Sequence, residues 1–394
     1  MTPQTPSPAP HPQLTGRALA RTVLDRSAMI RLLLGWAGVA ALALLSPLPS
    51  ALGSPLLALV LAGIVAVIVV AAGGVVAQAE ELAHRLGDPY GTLVLTLSIV
   101  VIEVVLIAAV MLGPGDHATI ARDSVMAVAM IIMNLVLGLC LLLAGLRRGA
   151  PAVHRVGTST YLVLLIALAA MAFAVPAALG TGGTYSPAQA GVVAVLTVGL
   201  YAFFLWRQTG AQAADFQEVG PAAPAAPSSD PDLSPGIAET LSRHRAEIGL
   251  RVLVLVVTVL PIVLLSHDMA SLLDEGLDRL GAPIALSGVL IAAIVFTPET
   301  LTAIRAALAG EMQRVVNLCH GALVSTLALT IPTVLVIGLL TASPVVLAES
   351  PVNLVLLGAT LAVSAVSAAA PRVTAVHGAV HLLLFGVYAL ALLS

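Results

Sequence analysis

Charge is scarce in this 394-residue chain: Asp, Glu, Lys and Arg together make up 9% of it, and all 17 basic residues are arginine. Against 20 acids the formal net charge is −3, so there is no basic excess with which to hold nucleic acid. Cysteine occurs only at Cys140 and Cys319, each inside an apolar run and without Cys-x-x-Cys spacing. That placement predicts two small buried hydrophobes rather than a disulfide or a metal pair. A Gly-x-Ser-x-Gly nucleophile motif is missing too, which argues against an intramembrane hydrolase despite the Ser and His residues in apolar runs. The first 13 residues are rich in Pro, Ser and Thr and lack a positive segment leading into a short apolar core, so they predict a disordered tail and no signal peptide.

What the chain has in abundance is apolar sequence: 59% of its residues are hydrophobic and its mean hydropathy is +1.06. No water-soluble domain of this size needs so much to fill a core, so the expected class is an all-α polytopic membrane protein. Eleven apolar runs are long enough to span a bilayer, near 30–46, 55–79, 91–113, 124–146, 159–179, 188–206, 248–266, 283–307, 315–340, 351–369 and 375–393. With a cytoplasmic amino terminus, eleven crossings put fifteen arginines inside and only Arg122 and Arg279 outside. The positive-inside rule therefore supports both the count and the orientation, with an external carboxyl terminus.

Two stretches read as copies of each other. Arg85-Leu86-Gly87-Asp88-Pro89 leads into the apolar run that carries Glu103, and Arg279-Leu280-Gly281-Ala282-Pro283 leads into the run that ends Phe296-Thr297-Pro298-Glu299. Glu103 falls in span 3 and Glu299 in span 8, an offset of five spans, and an odd offset inverts the second copy relative to the bilayer. The expected organisation is a disordered tail over 1–29, an extra helix over 30–54, a five-helix repeat over 55–206, a flexible cytoplasmic linker over 207–247 and an inverted five-helix repeat over 248–394. The linker assignment rests on the Pro- and Ala-rich stretch 221–227 followed by Ser228, Ser229, Asp230, Pro231 and Asp232.

Counted from Pro89 and Pro283, each glutamate lies roughly 20–25 Å along its helix, near the middle of a bilayer about 30 Å thick. A carboxylate there costs at least ~2.5 kcal/mol, so a functional site is the expected reason for it. Pro298 removes a backbone donor just before Glu299 and leaves a carbonyl free one turn earlier. In span 3 the polar residues upstream of the acid are Thr96 and Ser98. Carboxylates with carbonyl and hydroxyl oxygens are the hard set that Ca²⁺ prefers, and no His or Cys cluster points to a softer metal.

The following spans add Asn134 in span 4, and Asn317, His320, Ser325 and Thr326 in span 9. Such groups can complete a coordination shell or anchor neighbouring helices. Glu80 and Glu81 end span 2 as a solvated helix end or a cation-attracting vestibule, and Asp268, Asp274, Glu275 and Asp278 give the segment after span 7 a negative cast that reads as solvation. His377 and His381 are spaced i, i+4 without the Glu of a His-Glu-x-x-His zinc motif, so helix packing or gating is expected of them.

The stretch Ala83 to Leu93 leading to Glu103, Thr297-Pro298-Glu299, and Asn317-Leu318 through Gly321 to Leu329-Thr330-Ile331-Pro332 together resemble the cation/Ca²⁺ exchanger superfamily, most closely bacterial calcium/proton antiporters of the ChaA type. The resemblance covers spans 2 to 11. It implies Ca²⁺ export driven by proton entry, with Na⁺ or K⁺ as alternative ions, in the inner membrane and without a resident cofactor. It further implies that Glu103 and Glu299 form the shared cation and proton site, with Asn134 and Ser325 in supporting positions. The Gly-Asn-Ala-x-Glu pattern common elsewhere in the superfamily is missing before both acids. A non-transporting scaffold would leave two acids at matching repeat positions unaccounted for.

Overall fold

A computed structural model of the chain describes residues 16–45, 53–86, 100–101, 104, 107–108, 111, 118–148, 153–217, 237–281, 285–370 and 372–393. Long apolar segments leave the backbone no partner but itself, and among the described residues the structure is nearly all helix, with one isolated bridge between Thr181 and Thr184. The helices are α1 (Gly16–Val23), α2 (Arg26–Leu45), α3 (Ser54–Leu86), α4 (Ile120–Met130), α5 (Leu137–Arg148), α6 (Arg155–Ala169), α7 (Val175–Leu179) and α8 (Pro187–Thr209). They continue as α9 (Ile237–Arg279), α10 (Ala285–Val295), α11 (Thr297–Ala309), α12 (Met312–Ser325), α13 (Ile331–Thr341), α14 (Pro351–Ala369) and α15 (Ala375–Leu392). Three π-helical turns, Ile131–Val136, Ala170–Ala174 and Thr326–Thr330, join α4 to α5, α6 to α7 and α12 to α13 as continuous rods.

Among the described residues nine helices are long and apolar enough to cross a membrane. They coincide with nine of the eleven expected runs, and the chain is a multi-pass membrane protein. Run 91–113 lies mostly outside the described residues. Run 283–307 is present as two shorter helices, because the helix is interrupted at Phe296. The rods α4–α5 and α12–α13 are the most enclosed spans and α2 the least, so the first span packs at the periphery.

Helix ends are set by local chemistry. Ser186 caps α8 in a reciprocal capping box with Gln189, with Pro187 at the first helical position, and Ser350 caps α14 ahead of Pro351. Thr374 and His377 cap α15 in the same reciprocal way, which occupies His377 as a helix cap.

The loops gather at two ends. At one end Val346 N–H donates to Ala118 O at 2.8 Å, Leu347 and Ala348 N–H donate to Gly183 O at 3.0 and 3.1 Å, and Arg122 donates to Ala348 O at 3.0 Å. Gly183 has φ +81, and a Cβ there would lie 2.8 Å from that of Ala348, so only glycine fits this contact. At the other end His154 N–H donates to Gln313 Oε1 at 2.6 Å and Asn317 Nδ2 to Phe216 O at 2.6 Å. The rod α4–α5 therefore starts at the end where α12–α13 finishes, and the two run in opposite directions.

Helix extends further into the polar segments than expected. Within 1–29, Leu19 and Val23 of α1 pack on Val254, and α2 begins at Arg26. Within 207–247, α8 reaches Thr209, a 3₁₀ turn covers Ala213–Phe216 and α9 starts at Ile237. The 43-residue α9 also carries Asp268, Asp274, Glu275 and Asp278, so the acidic segment after span 7 is helical, with Arg279 paired to Glu275. Pairing one turn apart lets such charges continue a helix beyond its apolar length.

Candidate functional site

The broken helix α10–α11 organises the site. Phe296 leaves helical geometry at φ −86 and ψ 5, and α11 restarts at Thr297 with proline in its first turn. Pro298 has no N–H to give the carbonyl of Ile294, so the hydrogen-bond ladder cannot run through this point. Thr297 and Thr300 bridge the break from either side: Thr297 Oγ1 donates to Ala293 O at 2.8 Å, and Thr300 Oγ1 donates to Phe296 O at 2.8 Å. Glu299 thereby stands in the first turn of a new helix, where the N-terminal dipole favours negative charge.

Glu299 opens onto a narrow cleft. Its walls are Ile132 and Val136 from the turn between α4 and α5, Phe296, Thr300 and Ala303 around α11, and Leu318, Cys319 and Ala322 from α12. The residue is half-buried, yet its Oε2 atom is enclosed and has no hydrogen-bond partner among the described residues. A carboxylate oxygen left without a donor in an apolar cleft calls for a proton or a cation. The cleft brings together Glu299, one of the two acids the sequence singled out, and five residues that hydropathy and spacing did not: Ile132, Val136, Thr300, Ala303 and Ala322. Cys319 had been expected only as a buried hydrophobe. Both cysteines are free and buried, and Cys319 lines the wall.

The other expected site residues are distributed differently. Glu103 and Ser98 lie outside the described residues, as does the side chain of Glu80. Asn134 is fully buried but does not line the cleft; its amide nitrogen donates to Thr360 Oγ1 at 2.8 Å and its oxygen lies 3.0 Å from His381 Nδ1. Ser325 Oγ donates to Gly321 O at 2.8 Å and contacts the Tyr201 hydroxyl. Asn317 belongs to the loop cluster around Phe216 and Gln313. His320 bonds Val316 O at 3.2 Å through Nδ1 and stacks on Tyr161. Thr326 is buried at the start of a π-helical turn.

Glu81 is exposed and lies 3.5 Å from the buried Arg251 guanidinium. That guanidinium also bonds Glu247 and Gln78, so Glu81 at this end of α3 faces a cation of the protein itself. Among the described residues no group of three or more His, Cys, Asp or Glu could hold a resident metal ion.

The family model described as sodium/calcium exchanger protein matches residues 56–210 and 250–394. The chain belongs to the sodium/calcium exchanger family. This exchanger is 32% identical over 321 residues to the sodium-potassium/proton antiporter ChaA of Escherichia coli (strain K12), a match covering 81% of this chain and 85% of that protein. Its fold is similar to that of native YfkE, at TM-score 0.67 with 16% identity over 92% of this chain and 99% of the other. It is also similar to the H⁺/Ca²⁺ exchanger CAX, at TM-score 0.60 with 15% identity over 92% of this chain and 87% of that one. As a member of this family the exchanger is a secondary cation antiporter and not an enzyme, and its substrates are inorganic cations.

Proposed function

We propose that the chain exchanges cytoplasmic Ca²⁺ for external protons by alternating access, with both competing for Glu299 and Glu103. The observation that carries this reading is the enclosed, unpartnered Oε2 of Glu299 at a helix break. An ionised Glu299 attracts a cation into the cleft. A proton bound at the same carboxylate removes that charge and releases the cation, so each occupant excludes the other. If only a loaded site reorients, coupling follows without a separate proton path. The carbonyl of Ile294, deprived of its donor by Pro298, and the hydroxyls of Thr297 and of the cleft-lining Thr300 are oxygen groups close to Glu299 in sequence that can supplement the carboxylates. The two separate family matches support a division into repeats over 55–206 and 248–394, and the opposed directions of α4–α5 and α12–α13 support their inversion. The arginine distribution favours a cytoplasmic amino terminus in the inner membrane.

A second reading has Na⁺ or K⁺ as the ion in place of Ca²⁺, favoured by the sodium-potassium/proton antiporter at 32% identity. Purified protein in proteoliposomes with an internal pH dye tests both. Under the first reading low-micromolar Ca²⁺ drives proton flux, and under the second only millimolar Na⁺ or K⁺ does. In either case Glu299→Gln and Glu103→Gln abolish flux while the protein remains folded. Full activity in either variant would rule out the shared-carboxylate mechanism.

A further inference from the structure

The Asn134 amide ties three helices together deep in the bundle. Its Nδ2 donates to Thr360 Oγ1 on α14 at 2.8 Å and to Met130 Sδ at 3.2 Å, and its Oδ1 lies 3.0 Å from His381 Nδ1 on α15. The Thr360 hydroxyl gives its own proton to Leu356 O at 2.8 Å, so it accepts the bond from Asn134. This fixes the amide with Oδ1 towards His381. An amide oxygen only accepts, and therefore Nδ1 of His381 carries the proton.

Asn134 sits in the π-helical turn Ile131–Val136. Residues four apart share a helix face while the residue between them looks away. Ile132 and Val136 accordingly wall the Glu299 cleft while Asn134 points to α14 and α15. A π-turn is rarer and less favourable than α-helix, so its persistence calls for outside support. Packing identifies the same place independently. A Cβ on Gly138 would lie 2.9 Å from that of His381, and one on Gly378 would lie 2.4 Å from the Leu142 nitrogen, so α15 is pressed against α5 just beyond the turn.

We propose that His381 is a positioning residue of the transport site: its Nδ1–H holds Asn134 and the π-helical turn that sets Ile132 and Val136 against Glu299. The proposal rests on the exchange reading above but concerns a residue on the far side of the turn. Replacement by leucine removes the donor. Replacement by asparagine places an amide nitrogen near the position of Nδ1 and retains it.

Cation-driven proton flux in proteoliposomes is measured for wild type, His381→Leu, His381→Asn, Thr360→Val and Glu299→Gln. Loss of the anchor raises the cation KM about tenfold in His381→Leu and Thr360→Val with kcat within about twofold, and His381→Asn restores KM to within about twofold. A wild-type KM in both His381→Leu and Thr360→Val overturns the proposal, and so does an asparagine variant as impaired as the leucine one. A purely structural role lowers folded yield and kcat without moving KM, which overturns it equally. Should His381→Leu fail to fold, Thr360→Val with His381→Asn carries the comparison. Flux that survives Glu299→Gln sinks the exchange site itself, whereas an inactive Glu299→Gln beside normal His381 and Thr360 variants sinks only the positioning role.

Discussion

The Ser325 Oγ and the Tyr201 hydroxyl lie 2.7 Å apart, joining α12 to α8 across 124 residues of sequence. Ser325 already donates to Gly321 O, so Tyr201 is the donor of this contact. Ser325→Ala leaves the buried tyrosine hydroxyl unpartnered and is expected to destabilise by about 1–3 kcal/mol, whereas Tyr201→Phe costs only about 0.5–1.5 kcal/mol. Denaturation of the purified variants measures both. The cation KM is expected to stay within about threefold in each, since about 1.4 kcal/mol separates tenfold steps and neither group lines the cleft. A large KM change in Ser325→Ala would return this serine to the ligand set.

Pro298→Ala restores an N–H at the break between α10 and α11. The continuous helix that results is expected to be at least as stable as wild type, since proline is the weakest helix former. Flux should nevertheless fall by about tenfold or more, because Glu299 would no longer stand at a helix N-terminus. Hydrogen exchange over 290–300 reads the change in backbone, and the flux assay reads its consequence. Wild-type flux with a more protected backbone would separate the break from transport.

Ala303 and Ala322 face the cleft beside Glu299. Leucine at either position fills space that a cation and its hydration water would use. Overpacking is expected to cost about 1–3 kcal/mol of stability. Cation binding, followed by calorimetry on folded protein, should be lost or strongly weakened. Unchanged binding would place the ion elsewhere.

Glu349 lies in the loop before α14, where burial pushes its carboxyl above the usual range, against downward pulls from Asn353, the Ser350 N–H and Arg122, while Asp123 adds to the rise. Its Oε1 lies 3.9 Å from Arg122 Nε without a hydrogen bond. Because the folded state holds this proton more tightly than the unfolded chain, stability falls as pH rises from the ordinary glutamate value, about 4.3, to the raised folded value, and is level beyond it. Glu349→Gln removes that slope. Relative to wild type the variant should therefore gain stability towards neutral pH and show no such gain at about pH 4. Denaturation across this range checks the sign, and parallel curves would contradict it.

Much of the architecture was legible because hydropathy and arginine placement are properties of a line. Nine of the expected runs coincide with spanning helices, and Pro298 announced the interruption beside Glu299. The polar margins were less legible. Residues 207–217 and 237–247 read as linker, yet α8 and α9 run into them, because a helix begun in hydrocarbon continues as long as its exposed face is satisfied by water and i, i+4 pairs. Asn134 and Ser325 read as plausible ligands because each is polar within an apolar span. Which face each occupies depends on helix rotation, and for Asn134 a π-helical turn resets that rotation.

By itself the amino-acid sequence determined that this protein crosses the bilayer many times and that an acid is buried where proline breaks a helix, since cost in hydrocarbon depends on residue type and spacing alone. Only the tertiary structure decided that Glu299 meets Ile132, Val136, Thr300 and Cys319 in one cleft while Asn134 turns away to Thr360 and His381. Partners separated by 226 and 247 residues are chosen by how helices rotate and pack against one another, which no local pattern encodes.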